Sequence, residues 1–180
     1  TNTVQTATYT ITAASGVAGS CSSTFVSTIT VNPSPVLQPI NQPICSGASF
    51  NITPANGNPN ANTIIPNGTI YTWGIPNVTG GVTGGAAGNG TLNISGTLTN
   101  PSNIAQTATY TVTPTSGAAG NCIGQPFTLT VTINPTPIIP AQTLTICSGG
   151  NVNFTPINSL PQTIVPSNTP YSWGLPTSNP

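Results

Sequence analysis

Residues 127–133 read Phe-Thr-Leu-Thr-Val-Thr-Ile, with an apolar side chain at every second position and threonine in between. A second run of the same kind, Thr-Ala-Thr-Tyr-Thr-Val-Thr, occupies residues 107–113. Successive side chains of a β-strand point to opposite faces, so this alternation predicts strands with one apolar and one hydroxylated face. Such strands are typical of antiparallel sheets that cover a core with one face only.

Shorter alternating runs lie at 48–54, 69–75 and 91–98, separated by segments rich in glycine, proline, asparagine and serine. No part of the sequence shows the 3.6-residue period of an amphipathic helix. About seven short strands, each with one apolar face, predict two sheets packed face to face. The predicted fold class is all-β, built from immunoglobulin-like β-sandwich modules. The expected core residues include Trp73, Tyr110, Phe127 and Trp173.

The sequence repeats itself with a period of about 101 residues, which fits one whole small domain. The paired stretches are 7–12 with 108–113, 30–35 with 132–137, 44–47 with 146–149, and 71–76 with 171–176. Their order along the chain is the same in both copies. The repeat therefore predicts a tandem array of modules.

Asn-Pro-X-Pro segments at 32–35 and 134–137 mark the predicted joints, because proline cannot donate to a sheet ladder and stiffens a connection. We expect residues 35–136 to form one complete module, called here the central module. Residues 1–34, the leading segment, are expected to be the C-terminal part of a preceding module. Residues 137–180, the trailing segment, are expected to be the N-terminal part of a following one.

The chain contains no Lys, Arg, Asp, Glu or His. General acid–base catalysis needs a side chain that titrates near the working pH, and a nucleophilic hydroxyl or thiol needs a base beside it. Sites for calcium, magnesium or zinc need carboxylates, imidazoles or clustered thiolates. Nucleic-acid binding draws its affinity from Lys and Arg. We therefore predict no enzyme activity, metal, cofactor or nucleic-acid partner, and no membrane insertion, since no apolar run is long enough to span a bilayer.

The four cysteines, none in a Cys-X-X-Cys pair, are interpreted as disulfide staples of a protein from an oxidising compartment. The simplest pairing joins Cys45 to Cys122 within the central module. In a standard sandwich, however, the corner just ahead of the second strand, which holds Cys45 (the AB turn), and the hairpin before the last strand, which holds Cys122 (the FG loop), lie at opposite ends. A seven-residue strand spans roughly 23 Å, whereas bridged Cα atoms lie about 4.4–6.8 Å apart. Bridges between consecutive modules are therefore favoured, with partners outside this sequence. The candidate cysteines are Cys21, Cys45, Cys122 and Cys147.

The glycine-rich stretch 80–90 lacks the lysine and the strand-to-helix context of a phosphate loop. We expect it to be an exposed flexible loop or a place where chains pack closely. Together with Tyr71 and Trp73, it could alternatively form a platform on which sugar rings stack. Core packing is the favoured interpretation of Trp73.

Solubility without charged side chains must come from hydroxyls, amides, the backbone or glycans. Uncharged sheet edges also favour edge-to-edge pairing, so lateral association into a homo-oligomer or filament of identical chains is expected, with prolines near the joints covering one edge. A soluble string of separate modules is the alternative. The possible N-glycosylation sites are Asn51, Asn67, Asn77, Asn89, Asn93 and Asn153.

As a set, Ile-Cys-Ser-Gly at 44–47, Tyr-Thr-Trp at 71–73, Thr-Ala-Thr-Tyr-Thr-Val-Thr at 107–113 and the closing Val-Thr-Ile-Asn-Pro-Thr-Pro at 131–137 resemble the PKD-like and Ig-like repeats of giant surface proteins of Bacteroidota. These include gliding-motility adhesins and cell-surface filaments. The resemblance implies a very long extracellular chain, export by type IX secretion, and a role in adhesion, gliding or prey capture. It implies no catalytic residues.

Two hypotheses for function follow. The first is a structural repeat of a filament or stalk at the cell surface, and the second is an adhesin module that recognises surface polysaccharide.

Overall fold

A computed structural model describes residues 1–19, 21–118 and 120–177. These residues form strands, turns and irregular segments, and no helix occurs among them. The ten strands are β1 (Gln5–Ala14), β2 (Ser22–Val31), β3 (Ile40–Cys45), β4 (Ser49–Ile52), β5 (Ile70–Trp73), β6 (Asn77–Val78), β7 (Gly88–Thr91), β8 (Ile94–Thr97), β9 (Gln106–Thr115) and β10 (Phe127–Asn134).

The central module contains β3 to β10 in two sheets. The larger sheet has the order β3-β10-β9-β5-β7, with β6 also pairing to β9, and the smaller sheet is the antiparallel pair β4-β8. β9 and β10 form the longest antiparallel ladder of the module, and β3 runs parallel to β10 along its outer edge. The predicted all-β sandwich is confirmed.

The core lies between the two sheets and follows the alternation of the sequence. On β9 and β10, every second side chain is buried, whereas most of the intervening threonines reach the surface. Phe50 of the smaller sheet contacts Tyr110 of the larger one, with ring centroids 5.9 Å apart. Ile94 and Leu98 are fully buried at the same interface. Burial of these apolar side chains stabilises the pairing of the two sheets.

The leading segment forms the isolated hairpin β1-β2. Tyr9 pairs with Ser27, and the corresponding repeat positions Tyr110 and Leu129 pair in the ladder of β9 and β10. The register is therefore the same in both hairpins. Among the described residues no second sheet covers the apolar face of β1-β2, and its large side chains are exposed. They include Tyr9, Ile11, Phe25, Ile29 and Val31.

The trailing segment contains only isolated bridges over its described residues, 137–177. Ile138 bridges to Ile164, as Val36 bridges to Ile64 one repeat earlier. Trp173, expected in a core, is 87% exposed. The reason is that no β-ladder forms around it in the described part of this segment, so no opposing sheet is present to bury the indole.

The stretch 80–90 differs from the expectation of a flexible loop. Most of its residues reach the surface, but Val82 is buried, Thr83 bridges to Thr99, and β7 pairs with β5. A Cβ atom on Gly88 would overlap the Trp73 ring. These glycines therefore allow close packing within the central module.

Candidate functional site at the module ends

The described residues hold little that could perform chemistry. They contain no cluster of three or more potential metal ligands. No helix in the described part of the chain is long and apolar enough to cross a membrane. Burial raises the pKa of Tyr71 to about 12 and also raises the pKa of Tyr110. Both phenols therefore stay protonated at neutral pH and cannot serve as bases.

Tyr71 and Trp73 do not form a platform for sugars. Both are buried, and the Trp73 indole N–H donates to the Ala86 carbonyl oxygen at 3.1 Å. Tyr71 packs edge-on against Phe127, with ring centroids 6.5 Å apart. Because their ring faces are covered by the module itself, the residues proposed for carbohydrate stacking belong to the core.

Among the open depressions on the surface of the described residues, two have a largely apolar lining. One, of about 330 Å³, lies beside β3 and is lined by aliphatic, proline and small polar side chains without an aromatic ring. The other, of about 430 Å³, lies in the trailing segment against Phe154, Tyr171 and Trp173. Tyr171 and Trp173 occupy the repeat positions of Tyr71 and Trp73, which are core residues of the central module. The second depression is therefore a core-type surface.

Close polar contacts join the leading segment to the FG loop of the central module. The Ser34 hydroxyl donates to the Ile123 carbonyl oxygen at 3.0 Å. The Cys122 Sγ lies 3.9 Å from the Asn32 carbonyl oxygen. Pro35 is fully buried and its carbonyl lies against Gly124, where any side chain would collide. The joint at 32–35 is therefore fixed on the module that follows it.

The other end of the module has a matching set of contacts at the AB turn. The Ser46 N–H donates to the Asn134 carbonyl oxygen at 2.8 Å, and the Thr136 hydroxyl donates to the Ser46 carbonyl oxygen at 3.2 Å. Cys45 lies directly across from Asn134 in the parallel ladder of β3 and β10. The joint at 134–137 is therefore fixed on the module that precedes it.

Asn100 supports this second end, and sequence analysis did not identify it. It is 1% exposed, and its Nδ2 donates to the Ile133 carbonyl oxygen at 2.9 Å. Its backbone N–H donates to the Ser46 hydroxyl at 2.9 Å. The signal in the sequence was an asparagine directly before Pro101, in a segment that is otherwise unremarkable.

All four cysteines are free thiols. Cys45 lies beside the end of β10, and Cys122 lies in the loop before its start. β10 spans roughly 23 Å between them. This separation is several times the Cα distance of a disulfide, which agrees with the geometric argument against a Cys45–Cys122 bridge.

The possible glycosylation sites lie on the surface. Asn93 is half-buried and donates from Nδ2 to the Asn51 side-chain oxygen, so it is the least accessible of the six. The five exposed sites are Asn51, Asn67, Asn77, Asn89 and Asn153.

Comparison with known proteins identifies the architecture. Residues 41–137 match the family described as PKD-like domain. No curated protein and no solved structure matches the chain significantly. PKD-like domains are typically non-catalytic modules of extracellular or surface proteins, with structural or adhesive roles. The match covers more than half of the chain and nearly all of the central module, and the chain therefore belongs to the PKD-like domain family.

Proposed function

We propose that this chain is a structural repeat of a secreted filament or stalk at the cell surface, in which PKD-like modules stack end to end. The observation that carries the proposal is the pair of fixed joints. Asn32 and Asn134, which are equivalent positions of the repeat, make close contacts with the FG loop and the AB turn respectively. A stalk needs such joints, whereas a binding module needs an accessible site.

Local contacts that recur one repeat apart support the tandem arrangement. The Thr69 hydroxyl donates to the Pro66 carbonyl oxygen, and the Thr169 hydroxyl donates to that of Pro166, both at 2.6 Å. Likewise, Ser15 and Ser116 each donate a backbone N–H to the carbonyl of the cysteine six residues later. The segments outside the central module thus repeat hydrogen bonds that their counterparts make inside it.

Lateral self-association forms the second part of the proposal. The smaller sheet has only the strands β4 and β8, so each leaves one edge unpaired. Neither strand contains proline or a charged side chain, the two features that usually block edge-to-edge pairing. At the edges of the larger sheet, β3 contains Pro43 and β7 pairs irregularly with β5, so both are less suited to pairing. Identical chains would therefore associate through β4 or β8.

The finer roles in gliding, adhesion or prey contact, and export by type IX secretion, rest on the sequence resemblance to surface proteins of Bacteroidota. Recognition of a surface polysaccharide is the weaker alternative, because the aromatic residues that it required are buried. It would need another site on the module, and a glycan array on the full chain tests this directly. Specific sugar binding there would favour the adhesin.

Small-angle X-ray scattering tests the stacking on a longer chain, called here the extended chain. It consists of residues 1–180 followed by a second copy of 81–136, which continues the repeat in register and completes the following module. The extended chain then has three stacked units, the leading segment and two complete modules, each about 33 Å long. Such a rod has a radius of gyration of about 30 Å. A compact chain of the same size would have a radius of about 18 Å. The lower value under reducing conditions would contradict the proposal.

Sedimentation velocity over a range of concentrations tests the lateral association separately. We expect the extended chain to form larger species as its concentration rises, and electron microscopy to show threads. A monomer at every concentration would be compatible with a stalk one chain wide, but it would exclude a filament of laterally associated chains.

A further inference from the structure

We propose that each joint between modules is closed by a disulfide between the AB-turn cysteine of one module and the FG-loop cysteine of the next. The cysteines concerned in this sequence are Cys45 and Cys122. Each would pair with a cysteine of a neighbouring module, and the two would not pair with each other. The inference rests on the tandem array proposed above.

The backbone carbonyl of one repeat position lies at both ends of the central module. At the C-terminal end of the central module, the carbonyl of Asn134 accepts the N–H of Ser46, the residue next to Cys45. At the N-terminal end, the carbonyl of Asn32 lies 3.9 Å from the Cys122 Sγ. These two asparagines are the same position of the repeat. In a continuing array, a single carbonyl would therefore have an AB-turn cysteine on one side and an FG-loop cysteine on the other.

The joint hydroxyls lead to the same arrangement. Ser34 donates to the FG loop at Ile123 O, whereas its repeat counterpart Thr136 donates to the AB turn at Ser46 O. With a module on each side, the single hydroxyl proton of a joint residue can be donated to only one of these carbonyls, but the residue lies beside both elements. The AB turn and the FG loop of consecutive modules must then be neighbours.

The distances suit a disulfide. Cys45 lies across from Asn134 on adjacent strands, which run about 4.8 Å apart. The FG-loop sulfur of the next module would lie beside the carbonyl of that same asparagine, as Cys122 lies beside Asn32. Bridged cysteines have Cα atoms about 4.4–6.8 Å apart, within reach of this geometry. Cys45 is exposed and its side chain faces away from the core, because the neighbouring Ile44 is buried.

The bridge forms by thiol–disulfide exchange. The thiolate of one cysteine attacks a sulfur of an oxidant disulfide, such as oxidised glutathione or a disulfide oxidoreductase, and one oxidant thiol leaves. The second cysteine then attacks the mixed disulfide and releases the other oxidant thiol. The pair loses two protons and two electrons in total, and the oxidant disulfide gains them.

Two variants of the extended chain provide the test, because they differ only in which FG loop keeps its cysteine. In the first, Cys122→Ser is placed in the original loop and the added copy keeps its cysteine. In the second, the substitution is placed in the added copy. Both are incubated with oxidised glutathione, alkylated, digested with chymotrypsin without reduction, and analysed by mass spectrometry.

We expect the first variant to give a peptide that links Cys45 to the added FG loop, with both thiols protected from alkylation. The second variant should give no peptide linked to Cys45. A peptide that links Cys45 to Cys122 in the second variant would establish pairing within one module, and the absence of a link to Cys45 in both variants would also overturn the inference. Scattering from the reduced first variant separates the two proposals. If no linked peptide forms and the reduced chain is elongated, only the disulfide is refuted, whereas a compact particle refutes the array itself.

Discussion

Asn100 is a polar side chain with a complete set of hydrogen bonds in the interior of the central module. Its Nδ2 donates to the carbonyls of Ile104 and Ile133, at 2.7 and 2.9 Å, and its Oδ1 accepts from Ser102. Asn100→Ala would remove these bonds and take a side-chain donor from the carbonyl of the buried Ile133. We expect the free energy of unfolding to fall by about 3 kcal/mol, measured by urea denaturation. Asn41→Ala, at an exposed position of β3, is the control and should change it by less than about 0.5 kcal/mol. Equal effects of the two substitutions would contradict the role of Asn100.

Tyr71 presents the opposite case, since its buried hydroxyl has no hydrogen-bond partner. Its removal costs no contact, so Tyr71→Phe should leave the free energy of unfolding unchanged or raise it by about 1 kcal/mol. Tyr71→Ala should lower it by about 3–5 kcal/mol, because the ring fills the core. Thermal and urea unfolding, followed by tryptophan fluorescence, distinguish these outcomes. A clear loss of stability in the phenylalanine variant would mean that the hydroxyl has a partner after all.

The buried tyrosines also determine how stability depends on alkaline pH. Burial raises the pKa of Tyr71 from 10.0 to about 12 and that of Tyr110 in the same direction. A phenol with a raised pKa in the folded state contributes stability that is complete below pH 10. That stability falls as the pH rises towards 12, because the unfolded chain ionises first. Tyr71→Phe should reduce this fall relative to the unaltered chain. Urea midpoints between pH 8 and 12 provide the measurement, and identical curves for the variant and the unaltered chain would refute the assignment.

Strand β7 depends on a glycine that faces an aromatic ring. A Cβ atom at Gly88 would overlap the indole of Trp73, although the backbone there has no unusual φ angle. Gly88→Ala should therefore lower the free energy of unfolding by about 1–3 kcal/mol, as overpacking does in cores. It should also change the tryptophan fluorescence of the folded protein. Gly74→Ala is the matched control, since open space surrounds that position. If both alanines are tolerated equally, the glycine stretch is not packed on Trp73.

The strands of this fold differ in how well the sequence predicts them. The strict alternation of β9 and β10 identified both strands and their buried faces, because hydrophobic period and burial coincide there. A strand before Cys45 was assumed, but no residue range was predicted for β3, since Pro43 interrupts its pattern and it pairs with β10 only along one edge. Ile75 was assigned to a strand, but β5 ends at Trp73 and Ile75 is 79% exposed.

The candidate site was only partly predictable for a related reason. The cysteines are visible in the sequence, and the length of a seven-residue strand already predicted that Cys45 and Cys122 lie far apart. The contacts of Ser34 with Ile123 and of Thr136 with Ser46 join residues about 90 positions apart. No local pattern marks such pairs, because they depend on how the whole sandwich closes. Trp173 shows the same limit, since its burial depends on a sheet that local alternation does not supply.

At the scale of the whole molecule, the absence of charged side chains should control association. Interactions between charges are screened by salt, and this chain has none between side chains to screen. Self-association should therefore be nearly independent of sodium chloride between 20 and 500 mM, by sedimentation velocity. A steep dependence on salt would show that charges outside the side chains, such as the termini, dominate the contact.

A single lysine at an unpaired edge should then act as the block that the natural sequence lacks. Ser95 lies on β8, exposed and at an edge of the smaller sheet, so Ser95→Lys would bring like charges together when edges pair. We expect the concentration needed for association to rise about tenfold, which corresponds to about 1.4 kcal/mol, and added salt to reverse part of the change. Thr111→Lys adds the same charge on β9, which is paired on both sides, and serves as the control. Equal effects of the two lysines would show that net charge, and not the edge of β8, governs association.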